Sequence, residues 1–245
     1  MLNISLVQHS APQERQIALV KELLRVKYLH QLYIIDNSPT ETKWPISSTQ
    51  FIYIWNKGQR LPYSAAHNIA LRDSIYDDAT FHLIIDLDTE VKAEDINRLY
   101  LFMWNNPLIG IVAPKVLRPD GEVCPTAYLL PTTFHPRSPR ALPHDKMINV
   151  PALDGCFLFT RTEAVHKAGL LDEQLDDIAA IDLTRTVHRD YLTVFLPDIC
   201  VTTYKEPHKR YQLNDLYRYF RKWGFLYDRE RRVMNRLSLQ QLTEL

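Results

Sequence analysis

The chain lacks the features that would place it outside the cell, across a membrane or on nucleic acid. It has only three cysteines in 245 residues, Cys124, Cys156 and Cys200. They are odd in number, far apart and set in apolar surroundings. That argues against a disulfide framework or a zinc cluster and predicts reduced, mostly buried thiols. No apolar run approaches the roughly 20 residues of a spanning helix, so any membrane contact is expected to be peripheral. The opening MLNISLVQHS is too short and too polar for a signal peptide and has no basic stretch. The expected location is therefore the cytoplasm. Charge of one sign is missing too, with 29 Lys and Arg against 29 Asp and Glu. A broad basic face for nucleic acid is not expected. No internal repeat or low-complexity tract is visible. What is present is globular material, 46% apolar and 24% charged, enough for one large α/β domain or two small ones.

Strand and helix patterns alternate over the first 105 residues. NISLVQH, LHQLYIID, TQFIYIWN and FHLIIDL are short apolar runs of strand type. PQERQIALVKELLRV, YSAAHNIALRDSI and AEDINRLYLFMWNN carry helical spacing between or after them. Continuous apolar strands joined by helices predict a parallel sheet covered on both faces. Ligands of such sheets sit beyond the carboxyl ends of the strands. Asp36 and Asn37, Asn56, and Asp86 and Asp88 fall at those ends. A proline-rich excursion follows from Pro119 to Pro151. ALDGCFLFTR then returns to a strand, TEAVHKAGLL to a helix capped at Gly169, and IDLTRTVHRD to another helix. LTVFLPDICVTTY reads as a strand pair interrupted at Pro197.

The sharpest local signal is FHLIIDLDTEV, an apolar strand driven into two aspartates one residue apart. If the strand continued, Asp86 and Asp88 would point to one face. Like charges that close require a cation, a raised pKa or full hydration. A hard divalent ion, Mn2+ or Mg2+, suits such oxygen ligands, with water and a substrate phosphate completing the shell. A solvated acidic turn is the plain alternative. So is a phosphatase of the haloacid-dehalogenase type, whose strand followed by D-x-D-x-T matches IIDLDTE. There the nucleophile's strand normally comes first, and here three strands precede it.

Five segments in order resemble the family 2 glycosyltransferases of GT-A fold, rhamnosyl- and galactosyltransferases among them. These are YIIDNSPTE, NKGQRLPYSAAHNIAL, IIDLDTEV, LDGCFLFTRTEAVHKAGLLDEQL and YRYFRKWGF. The resemblance implies a mostly parallel central sheet with helices on both faces, Rossmann-like in its nucleotide half, over residues 1–210. An aromatic and basic helical extension would occupy 211–245. It implies an inverting, metal-dependent transfer from a nucleoside diphosphate sugar (UDP- or dTDP-linked) to a glycan or lipid-linked glycan, in bacterial surface polysaccharide such as lipopolysaccharide. Asp36 and Asn37 would meet the base, while Asn56, Gly58 and Asn68 would line the nucleotide pocket. Asp88 would hold the metal, with Asp86 facing the ribose or the metal's waters.

The pattern breaks where the family places its general base, an E-D-x-D-L or D-D-x-D-L helix start. Asp182 and Leu183 match its end, but Ala179 and Ala180 stand at the two acidic positions. Either the register shifts and Asp176 or Asp177 takes the proton, or the chain, by nature or by design, binds nucleotide sugar without turning it over. A second break is the histidine expected after the last strand, where Thr202 and Thr203 stand. His208 is the candidate to reach back to the metal. The tail from Asp215 to Arg236 has seven Arg and Lys against three acids, interleaved with Tyr217, Tyr219, Phe220, Trp223, Phe225 and Tyr227. It suits a helix packed on the domain, an interfacial helix at the inner face of the plasma membrane, or one that does both.

Overall fold

A computed structural model describes residues 1–134, 140–143, 145–205, 211–226 and 228–241. The first half runs β1 (Leu2–Gln8), α1 (Glu14–Leu23), β2 (Leu29–Asp36), β3 (Phe51–Trp55), α2 (Tyr63–Tyr76), β4 (Phe81–Ile85), β5 (Thr89–Glu90) and α3 (Ala93–Asn105). The second half opens with β6 (Ile109–Leu117), β7 (Val123–Cys124), β8 (Ala127–Tyr128), β9 (Ile148–Asn149), β10 (Ala152–Leu153) and β11 (Phe157–Arg161). It continues with α4 (Thr162–Ala168), α5 (Ala179–Val187), β12 (Leu192–Thr203), α6 (Leu213–Trp223) and α7 (Arg229–Gln240).

The main sheet has the order β3-β2-β1-β4-β11-β6-β12-β5. β1 to β4 are mutually parallel, as uninterrupted apolar strands joined by helices require. β11 runs antiparallel between β4 and β6, while β6 and β12 are parallel. The order therefore turns back at β1, with β2 on one side and β4 on the other. That reversal leaves a crevice at the strands' carboxyl ends. Because β11 is inverted, its amino end opens on the same crevice.

Apolar side chains cover both faces. Leu19, Val20 and Leu23 of α1 and Ile96, Leu99 and Met103 of α3 close one face. Leu71 of α2, Val165 of α4, Ile181 and Leu183 of α5, and Leu216, Tyr219 and Phe220 of α6 close the other. The C-terminal segment thus shares a core with the sheet. Its aromatics divide: Tyr219 and Phe220 are buried, while Tyr217 and Phe225 lie exposed beside Leu213 and Leu226. Tyr227 lies outside the described residues.

Two details differ from the sequence pattern. β12 is one strand, not a pair; at Pro197 its pairing with β6 slips, so that Leu196 faces Pro114 and Cys200 faces Lys115. A proline cannot donate to a ladder, and a bulge absorbs it without ending the strand. Cys124 is buried and Cys156 half-buried as expected, but Cys200 is exposed. Gly169 does close α4, with φ +88°.

A buried polar thread crosses beneath α2. Ser5 Oγ lies 2.7 Å from His67 Nδ1 and 2.8 Å from His82 Nε2, and Ser74 Oγ lies 2.7 Å from His82 Nδ1. Burial pushes both imidazoles down to about 3. Their folded pKa lies below the unfolded value near 6.5, so between those limits the unfolded chain binds the extra proton. Stability is expected to fall as pH drops below 6.5, by about 1.4 kcal/mol per pH unit for each histidine. Urea midpoints at pH 7.5 and 5 check this, and His82→Gln should flatten the dependence. A midpoint unchanged between those pH values would contradict it.

Candidate functional site

The crevice is a cleft of about 400 Å³. β1 ends in it with Val7 and Gln8, and α1 reaches it through Gln16. β4 stops at Ile85, so Asp86 and Asp88 do not lie on a continuing strand as the i, i+2 pattern supposes. They sit in a tight turn closed by Thr89 N–H donating to Asp86 O at 3.1 Å. The turn brings both carboxylates to the cleft nonetheless. Asp88 Oδ1 accepts Gln16 Nε2 at 3.2 Å, and Arg15 stands 3.7 Å away.

Asp86 has a closer partner. Lys205, just beyond β12, places Nζ 2.8 Å from Asp86 Oδ2. Burial opposes the charge on Lys205, but the attraction of Asp86 prevails and holds its pKa above the ordinary lysine value. Arg60 adds a second cation to the lining. Burial, Arg60 and Lys205 together keep His9 below its usual pKa, so its ring is neutral near pH 7.

Three more acids line the same cleft, Asp154, Asp176 and Asp177; Asp154 enters beside Asp86, whose N–H donates to Cys156 O at 2.9 Å. Asp154 Oδ1 accepts Cys156 N at 2.9 Å, which fixes the turn into β11. Between them Gly155 meets Tyr63 and Ala180: a Cβ there would stand 2.8 Å from Tyr63 Oη and 3.0 Å from Ala180 Cβ. Only glycine fits. Asp176 Oδ1 accepts the N–H of Tyr63 at 2.7 Å, capping the amino end of α2. Among the described residues, Asp177 Oδ2 accepts the N–H of Gln212, at 3.3 Å. Burial, followed by Asp154 and Asp86, pushes the Cys156 thiol up, which leaves it a poor nucleophile.

The other sequence candidates lie away from this lining. Asp36 is fully buried and accepts Ser38 N at 2.7 Å, Thr42 Oγ1 at 2.8 Å and Tyr53 Oη. Burial works against its charge, yet these donors outweigh it and hold the carboxyl below the usual range. Asn37 and Asn56 bond to each other at 2.6 Å, and Asn37 also ties down Leu61. Gly58 takes φ +77° in the turn after Asn56, a conformation that favours glycine. Of these four, Asn37 reaches the cleft indirectly, through its bond to Leu61 of the lining.

Two candidates lie apart from the cleft and are held by other partners. Asn68 is buried on the far side of α2, where it exchanges hydrogen bonds with Leu171 and reaches Glu173. Asp182 is buried on α5 and is held by Trp223 Nε1 at 2.6 Å and Lys222 Nζ at 2.8 Å. Neither lines the cleft. Of the two alanines, Ala180 does line it, and Ala179 is fully buried. His208 lies outside the described residues.

A divalent cation fits Asp86 and Asp88 in chemistry: both offer hard oxygen donors, and five carboxylates on one cleft exceed the two cations facing them. Among the described residues no three His, Cys, Asp or Glu gather as a ready cage. Such an ion would be held by one or two carboxylates, with water and a phosphate ligand supplying the rest.

No protein-family model matches the chain, and no curated protein matches its sequence. Solved structures do. GalNAc-T7, crystallised with UDP, GalNAc and Mn2+, superposes with a TM-score of 0.67 at 14% identity, over 90% of this chain and 48% of its own. A 1–349 form of TarS from S. aureus gives 0.54 at 12% identity, over 82% and 60%. The mannosyltransferase PcManGT from Pyrobaculum calidifontis, in complex with GDP-Man and Mn2+, gives 0.53 at 13%, over 82% and 56%. The chain thus spans about half the length of these proteins. Its fold is the GT-A fold that they share.

Proposed function

We propose that the chain is a glycosyltransferase that takes its sugar from a nucleoside diphosphate donor and inverts the anomeric centre. The observation that carries this is that Asp86 and Asp88, just past the end of β4, share one cleft of a GT-A fold with Asp176 and Asp177. A Mn2+ or Mg2+ ion held by Asp88 and Asp86 would stabilise charge on the departing diphosphate. Lys205 and Arg60 bring fixed positive charge to the same cleft. Asp177, whose carboxylate accepts the longer hydrogen bond of the two among the described residues, takes the proton from the acceptor hydroxyl. Inversion requires the acceptor hydroxyl to attack from the face away from the departing diphosphate, and a carboxylate in the cleft is available to take its proton. The family 2 resemblance favours a bacterial glycan acceptor, and the exposed half of the C-terminal segment is the surface that a lipid-linked one would meet.

A thermal-shift panel of UDP-, dTDP- and GDP-sugars, with and without Mn2+ and then with anionic vesicles, tests this reading. One donor is expected to raise the melting temperature in a metal-dependent way. No metal-dependent shift from any donor sinks the transferase reading, and no association with vesicles sinks the lipid-facing part alone. A second reading, binding without transfer, rests on Ala180, whose methyl faces the cleft where the family pattern has an acid. It predicts the same shift with neither transfer nor slow donor hydrolysis.

A further inference from the structure

The loop that presents Asp176 and Asp177 has no regular structure of its own, and one helix of the C-terminal segment grips it. Asp215, in the first turn of α6, is 5% exposed. A single oxygen, Oδ2, accepts the backbone N–H of both Asp176 and Asp177, each at 2.8 Å. The grip is reciprocal, because Gln212, the cap of α6, donates its N–H to Asp177 Oδ2. One turn on, Arg218 donates to the carbonyl of Gln174, and another turn on, Lys222 lies 3.0 Å from Asp172.

This joint crowds a third carboxylate beside two others. On charge alone that is unfavourable. The two converging N–H groups offset it, since hydrogen bonds to an ionised acceptor are about twice as strong as neutral ones. The buried acid acts through geometry. It fixes the backbone directions of two successive residues, and with them the direction of the Asp177 side chain. The geometry points to Asp215 as a positioning residue for the cleft carboxylates, which makes α6 part of the active site. This rests on the transferase reading for its catalytic meaning, though the clamp itself does not.

The test compares the full chain with Asp215→Ala and Asp215→Asn. Amide hydrogen exchange comes first, because it needs no substrate. Asp215→Ala is expected to speed exchange across 172–177 by at least about tenfold while β1 to β4 stay protected. Asp215→Asn, whose amide oxygen can occupy the place of Oδ2, should stay near the parent. Unchanged exchange in Asp215→Ala overturns the clamp. Should that variant unfold, Asp215→Ser, too short to reach both amides, replaces it. Turnover comes second, with the sugar nucleotide that the parent uses. Asp215→Ala is expected to lower kcat by about a hundredfold at an unchanged donor KM, with Asn restoring most of it. A loss shared by donor binding, or one that Asn does not rescue, overturns the positioning role. A parent that turns over no nucleotide sugar refutes the function, and the exchange result still decides the clamp.

Discussion

Arg185→Leu is expected to remove about 3–5 kcal/mol of folding stability, a large share of what a domain of this size has. Arg185 is fully buried on α5, and its NH2 group lies 2.7 Å from Asp228 Oδ2 and 2.8 Å from Oδ1. Its NH1 donates to Tyr219 Oη at 3.2 Å, and its guanidinium stacks 3.9 Å from the centre of the Trp223 ring. On the other side of the pair, Glu230 bonds to both Arg185 and Arg189. Burial opposes the charge on Arg185, but Tyr219 and Asp228 outweigh it, and its pKa stands above the ordinary value.

Leucine supplies apolar volume but leaves Asp228 buried without its cation, and that uncompensated charge dominates the cost. Asp228 cannot turn away cheaply, because it also caps α7 by accepting Arg231 N at 2.9 Å. Arg185→Lys keeps the charge and loses the fork and the stacking, so an intermediate loss is expected. Urea unfolding at pH 7 measures all three proteins. A loss under about 1 kcal/mol for leucine would mean that Asp228 finds water or another donor once Arg185 is gone.

The same joint shows what could be read from residue order and what could not. The apolar runs at β1 to β4 announce a parallel sheet because strands buried on both faces need no alternation. Asp86 and Asp88 draw attention because paired charge at the carboxyl end of such a strand falls where ligands of parallel sheets sit. Those signals are local. Asn68 misled because an amide on a helix of small residues looks free to bind, whereas its partners at Leu171 and Glu173 arrive from a hundred residues away. Asp182 matched the end of a motif, but the turn of α5 points it at α6. Asp154 and Lys205 reach the cleft only because β11 is inverted and β12 ends beside β4's turn. A strand beginning with ALDGCF and a lysine three residues after Thr202 were the only hints, and neither has meaning until the sheet order is known. Lys205, two residues past β12, sets an ammonium against Asp86, a charge that alignment by motif passes over.

Asp177→Asn carries the largest expected effect on activity: a loss of about 10²- to 10⁴-fold in kcat with donor affinity nearly unchanged. An amide cannot take the acceptor's proton, yet its oxygen can still receive the N–H of Gln212, so the loop keeps its course. Asp88→Ala should do the reverse and abolish the metal-dependent part of donor binding, because of the two acids after β4 it removes the one that Lys205 does not hold. Asp176→Asn is expected to cost less than Asp177→Asn in kcat, as one oxygen of Asp176 is committed to the amino end of α2 and an amide oxygen can serve there. Asp182→Asn should lower stability, through its bonds to Lys222 and Trp223, more than turnover. Steady-state kinetics with the donor found by thermal shift separates these outcomes. Full activity in Asp177→Asn together with collapse in Asp176→Asn would move the base by one residue. Full activity in both would remove the acidic loop from the chemistry and leave Asp154, in the same cleft, as the carboxylate to test.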